Sequence, residues 1–169
     1  MFNHKTYPNL MRLFDELDVR TVATDMSFSV KLPLENRMLE WSGSSLNTVF
    51  AQRRNLLDKR FIRMLQDILR FNQQATALVE QPGNAKTGLS LGDYLKRHDY
   101  SVEFRDWYLL PMAGCIWSCP VAQMLAFPLA TFVRFCHNHG LLQIIGRPKW
   151  HTVRERVTII LAGYKSDVE

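Results

Sequence analysis

The chain has 169 residues, of which 47% are apolar and 22% charged, the balance of a globular domain able to bury a core. A net charge of +5 is too small to argue nucleic-acid binding, and no apolar run approaches the roughly eighteen residues a membrane span requires. Three cysteines without framework spacing suit reduced thiols, and the polar start at Asn3–Lys5 has no signal-peptide pattern, so a cytoplasmic location is expected.

The first predicted element is a helix over residues 7–17. Thr6 is its expected cap, Pro8 sits in its first turn, and Leu10, Leu13, Phe14 and Leu17 share a face. Residues 27–32 alternate, with Phe28, Val30 and Leu32 on one side. Pro33 is expected to end that strand, and Asn36-Arg37 to turn it into a second strand over 38–41, giving a β-hairpin that Gly43 closes.

Residues 59–79 carry the strongest helical pattern. Phe61, Met64, Leu65, Ile68, Leu69, Phe71 and Ala75 fall on one side; Arg60, Arg63, Asp67, Arg70 and Gln74 fall on the other. The Pro- and Gly-containing stretch 81–88 reads as a surface loop. Ser90 caps a short helix over 91–98, and residues 101–110 form another that stops before Pro111. Ser118 or Cys119 is expected to cap a helix with Pro120 at its first position. Pro128 restarts a helix that buries Leu129, Phe132, Val133, Phe135 and Cys136 and stops at Gly140; residues 141–145 read as a short strand. The fold class is α+β, mainly α: a helical domain with a small hairpin or sheet. It contains no Gly-x-Gly-x-x-Gly, so a Rossmann-type FAD-binding unit is expected to be lacking.

Seven segments carry a family resemblance. They are Met1-Phe2-Asn3-His4-Lys5-Thr6-Tyr7-Pro8-Asn9-Leu10, then Leu39-Glu40-Trp41-Ser42-Gly43-Ser44-Ser45-Leu46 and Phe50-Ala51-Gln52-Arg53-Arg54-Asn55-Leu56-Leu57. Next come Phe104-Arg105-Asp106-Trp107-Tyr108-Leu109-Leu110-Pro111-Met112 and Ile116-Trp117-Ser118. The last are Asn138-His139-Gly140-Leu141-Leu142-Gln143 and Arg147-Pro148-Lys149-Trp150-His151-Thr152-Val153. In order, they resemble an internal stretch of bacterial FAD-dependent, amine-oxidase-like oxidoreductases. The resemblance implies that residues 1–153 are a substrate-side helical domain, a fragment that would follow an FAD-binding strand–loop–helix unit. It implies hydride removal from a C–H bond to flavin, with a lipid acyl substrate suggested by the family's association with cyclopropane fatty acid synthase-like proteins. No FAD binding and no turnover are expected of this chain alone. The pattern stops at Val153, where a Gly-Gly-Ser-Arg-type turn would follow. Residues 154–169 therefore read as a divergent tail from a frameshifted or truncated frame, or as an unusual strand in which Val157, Ile159 and Leu161 alternate.

No catalytic residue is assigned. Substrate-cavity candidates are Trp117, Ser118, His139 and Trp150, all inside family-like segments. Against this, Trp117 reads equally as core and His139 as a cap for its own helix C-terminus. Cys115, Cys119, Cys136, His137 and His139 lack closed metal-site spacing and the cysteines read as core thiols, so no metal is expected. Arg60, Arg63 and Arg70 form either a solvated face or a contact surface for anionic lipid. The alternative to an enzyme fragment is a helical module that binds a membrane surface or a partner protein. Strands left without partners would also promote self-association.

Overall fold

The computed structural model describes residues 1–25, 27–80, 88–143 and 148–154. It is α+β and mainly helical, with two small antiparallel sheets. In chain order the elements are α1 (Pro8–Glu16), β1 (Thr21–Thr24), β2 (Ser29–Leu34), β3 (Arg37–Ser42), α2 (Leu46–Val49), a 3-10 turn (Arg53–Leu57) and α3 (Lys59–Glu80). These are followed by α4 (Leu91–Arg97), α5 (Val102–Phe104), a π-helical turn (Arg105–Leu109), α6 (Leu110–Trp117), α7 (Val121–Ala126), α8 (Leu129–Asn138) and β4 (Trp150–Val153).

α3 is the centre of the molecule and packs on α5 and α8. Its Phe61, Met64, Phe71 and Ala75 are fully enclosed, as the 3.6-residue period requires. Leu69, expected on the same face, is instead exposed. Asp67 departs in the other direction: it is buried, not on a polar surface. Its Oδ2 accepts from the Ser101 amide at 2.9 Å and the Ser101 hydroxyl at 2.6 Å, while Oδ1 pairs with Arg70 at 2.8 Å. A carboxylate with this many partners can leave water. It fixes Ser101, whose own hydroxyl caps α5.

The hairpin forms between β2 and β3 with Glu35-Asn36 at its turn, and Val30, Leu39 and Trp41 enter the core. Trp41 sits edge-on to Phe28 and Phe61, which seats the hairpin on α3. Pro33 does not end β2; it lies within the strand, opposite Met38. The sheet has only two strands among the described residues, so β2 keeps an edge at which a missing N–H costs no ladder bond.

Pro111 does not end its helix either. Leu110 N–H reaches back five residues to the Arg105 carbonyl, and the backbone continues into α6 with Pro111 in its first turn. Widening the helix by one residue here accommodates a ring that would otherwise meet the preceding turn. α6 closes at Ser118, whose left-handed backbone (φ 49°) makes it a C-terminal residue rather than the cap of the next helix. Pro120 precedes α7 and does not open it. Ser90 does cap α4, as expected.

Thr6 does not cap α1. Tyr7 occupies the capping position without a side-chain bond, while the Thr6 hydroxyl donates to the Asn138 carbonyl at 2.7 Å. Phe14 is the one buried residue of α1; Leu13 and Leu17 are exposed. α8 ends at Gly140, with the Gly140 amide on His137 O and the Leu141 amide on Cys136 O. This pairing satisfies the last carbonyls of the helix. Residues 141–142 are a turn and not the start of a strand. The rest of the expected strand (144–145), the expected loop over 81–87 and the expected tail from 155 lie outside the described residues. The second sheet pairs β1 with β4, Thr24 opposite Trp150 and Thr21 opposite Val153. Phe2 extends it by exchanging both backbone bonds with His151, at 3.0 and 2.8 Å.

Candidate functional site

A cleft of ≈ 430 Å³ opens where the hairpin, α6 and the end of α8 meet the residues beside α1 and β4. Phe28 and Trp41 come from the hairpin side, Tyr108 from the π turn, and Met112, Cys115 and Ile116 from α6. The opposite wall is Tyr7, Phe135, His139, Leu141, Pro148 and Trp150. Among the described residues that line it there is no Asp, Glu, Lys or Arg. Such a surface recognises an apolar or ring-bearing body through contact, with a few polar atoms to orient it.

Local sequence explains the wall. Gly140 turns the chain in the left-handed region (φ +67°), and a Cβ there would lie 2.5 Å from Pro148 Cδ. The close approach brings residues 148–150 against the end of α8. β4 then presents Trp150 parallel to His139, with ring centroids 6.3 Å apart at 11°. On its other neighbour, His139 stacks over Phe135 at 3.9 Å. The imidazole is also held by its edges: Nδ1 lies 2.8 Å from the Phe135 carbonyl and Nε2 lies 2.9 Å from Tyr7 Oη. His139 thus does cap its own helix, and it lines the cleft as well.

Two of the four candidate positions, His139 and Trp150, meet at this cleft. Trp117 lies elsewhere, half-buried, stacked on Phe132 at 5.4 Å and packed with Phe127 and Phe135 against the core. Ser118 is exposed at the end of α6. Tyr7 and Trp41 went unassigned as site residues, the first read as a helix start and the second as the end of a hairpin. Trp41 is almost fully buried, and its indole N–H has no hydrogen-bond partner. No local sequence signal marks either residue, because their partners are remote in the chain.

A pyrophosphate needs cationic side chains or a cluster of free backbone N–H groups, and the described lining offers it no Lys or Arg side chain. Among the described residues no group of three or more His, Cys, Asp or Glu is placed to hold a metal ion. Cys115 is exposed and reaches the cleft; Cys119 is half-buried; Cys136 is buried, and burial pushes its thiol up to about 12.

The arginine face is charge-compensated. Arg60 lies 3.8 Å from Asp58, Arg63 3.6 Å from Asp99 and Arg70 2.8 Å from Asp67. Arg60 also covers the Trp107 ring and Arg70 the Tyr100 ring. Such pairs add little stability, but they reduce the field available to an anionic surface. No described helix is long and apolar enough to cross a membrane. Leu46 and Leu57 are the most exposed large apolar side chains.

No protein-family model matches the chain, and no curated protein matches it.

Proposed function

We propose that this chain forms the substrate-side domain of an FAD-dependent, amine-oxidase-like oxidoreductase, with the flavin carried by a dinucleotide-binding unit outside residues 1–153. The observation that carries the reading is the ring-walled cleft, with no Asp, Glu, Lys or Arg among its described lining, at which His139 and Trp150 meet. Both positions come from segments with the family resemblance. Bound flavin would supply the chemistry, taking a hydride from a substrate C–H bond. This chain would bind the apolar part of the substrate, a lipid acyl chain included, and keep water from it. Three free thiols fit a reducing, cytoplasmic setting. Turnover by the chain alone is not expected. The alternative, a module that docks on anionic lipid through Arg60, Arg63 and Arg70, is weakened by the three carboxylates beside them.

The test is to sequence the DNA flanking the reading frame and purify the product of the whole locus. The expected result is codons for a Gly-rich strand–loop–helix upstream and a product with flavin absorbance. Flanking DNA without such a unit, and a product that stays colourless after incubation with excess FAD, would overturn the proposal.

A further inference from the structure

For a neutral imidazole the hydrogen bonds around His139 fix a direction. A backbone carbonyl only accepts, so the 2.8 Å contact with Phe135 O requires the proton on Nδ1. A neutral imidazole has one N–H, which leaves a lone pair on Nε2. The Tyr7 hydroxyl, 2.9 Å away, therefore donates to it. Phe135, stacked at 3.9 Å, holds the ring, and turning it over would replace Nδ1 by carbon at the carbonyl. Tyr7 has then used its only proton. What its oxygen has left is acceptor capacity, at the wall of a cleft with no Asp, Glu, Lys or Arg among its described lining.

We infer that Tyr7 Oη, with its proton held by His139, is a specificity-determining acceptor that selects cleft ligands bearing an O–H or N–H group on an apolar body. The inference rests on the cleft being the substrate site, and it deepens that reading by naming the polar group the substrate carries. A ligand with only acceptor atoms, an ether or an ester, gains nothing from Tyr7 and leaves its lone pairs facing another acceptor. In apolar surroundings that difference is worth more than in water.

Two probes with one ring system isolate the effect: 2-naphthol, which donates, and 2-methoxynaphthalene, which cannot. Both carry an acceptor oxygen, so they differ only in the proton offered to Tyr7. Calorimetric titration of the purified chain at neutral pH is expected to give about tenfold tighter binding of the naphthol, the scale of one net hydrogen bond. In Tyr7→Phe the ratio should fall to about one. In His139→Phe the freed Tyr7 hydroxyl can point its proton into the cleft, so the methoxy compound should gain on the naphthol. A merely structural role for His139 would weaken both probes and keep their ratio. Equal affinities in the unaltered chain, no binding of either probe, or a tenfold ratio that survives Tyr7→Phe would each overturn the inference. The flavin spectrum of the locus product is read separately. A selective cleft in a colourless product would sink the flavin reading alone.

Discussion

Replacing Gly140 by alanine tests the contact that builds the cleft wall. Two costs arise. The left-handed backbone at φ +67° is unfavourable for a residue with a Cβ, by about 1–2 kcal/mol. The new methyl would also lie 2.5 Å from Pro148 Cδ and 2.9 Å from Cγ. Those atoms belong to a ring fused to the backbone, so they cannot swing aside as a long side chain would. Residues 148–150 must move as a unit, which puts the cost in the overpacking range of ~1–3 kcal/mol. Reduced freedom of the unfolded chain returns ~0.4–1 kcal/mol. The net expectation is a loss of about 1–5 kcal/mol in urea unfolding, with near-ultraviolet circular dichroism reporting separation of Trp150 from His139. Gly88→Ala is the control: its φ is +102° and no described atom lies within 4 Å of the added Cβ, so among the described residues it meets the backbone cost alone. Equal losses in the two variants, or a neutral Gly140→Ala, would refute the close-approach argument.

Asp67→Ala should cost about 3 kcal/mol in the same assay, because it leaves the Ser101 amide and hydroxyl without their acceptor and Arg70 without its carboxylate; a loss below about 1 kcal/mol would count against the buried role. Iodoacetamide at mildly alkaline pH should label exposed Cys115 and spare buried Cys136, read by peptide mass spectrometry, and a cleft-bound naphthol should slow the labelling of Cys115. Stability should fall in alkali. Burial raises Cys136 from 9.0 to about 12, and burial also raises Tyr94 and Tyr100. The unfolded chain gives up these protons first, so the contribution is whole below pH 9.0 and is lost as pH climbs toward 12. Urea midpoints against pH should be flatter in Cys136→Ala.

The hairpin and α3 were legible in the sequence because their periods are local. Alternation at Phe28, Val30 and Leu32, and the spacing of Phe61, Met64, Phe71 and Ala75, each decide a face within one element. β1 was not legible: Val22 and Ala23 are both exposed, so no alternation marks the strand, and its partner lies beyond residue 149. Asp67 was misread because a charged residue on a wheel looks like surface until Ser101 supplies its bonds. Pro33 and Pro111 carry the sequence signal of a stop, although an edge strand and a π turn let each pass. At the site, His139 and Trp150 came from resemblance, not from spacing. Tyr7 could not be found, since its meaning depends on an imidazole 132 positions away.

That separation bears on how the molecule assembles. The cleft wall depends on Phe2 meeting His151, Thr6 meeting Asn138 and Tyr7 meeting His139. Each joins parts of the chain well over a hundred residues apart, so each carries a large loop-closure entropy. The aromatic interior around α3 needs none of them and has shorter loops to close. The expected order is interior first and clasp last, with the cleft appearing in a final, slower kinetic phase. During synthesis the pocket cannot exist until Trp150 has left the ribosome, although α3 can already be packed on α5 and α8 by then.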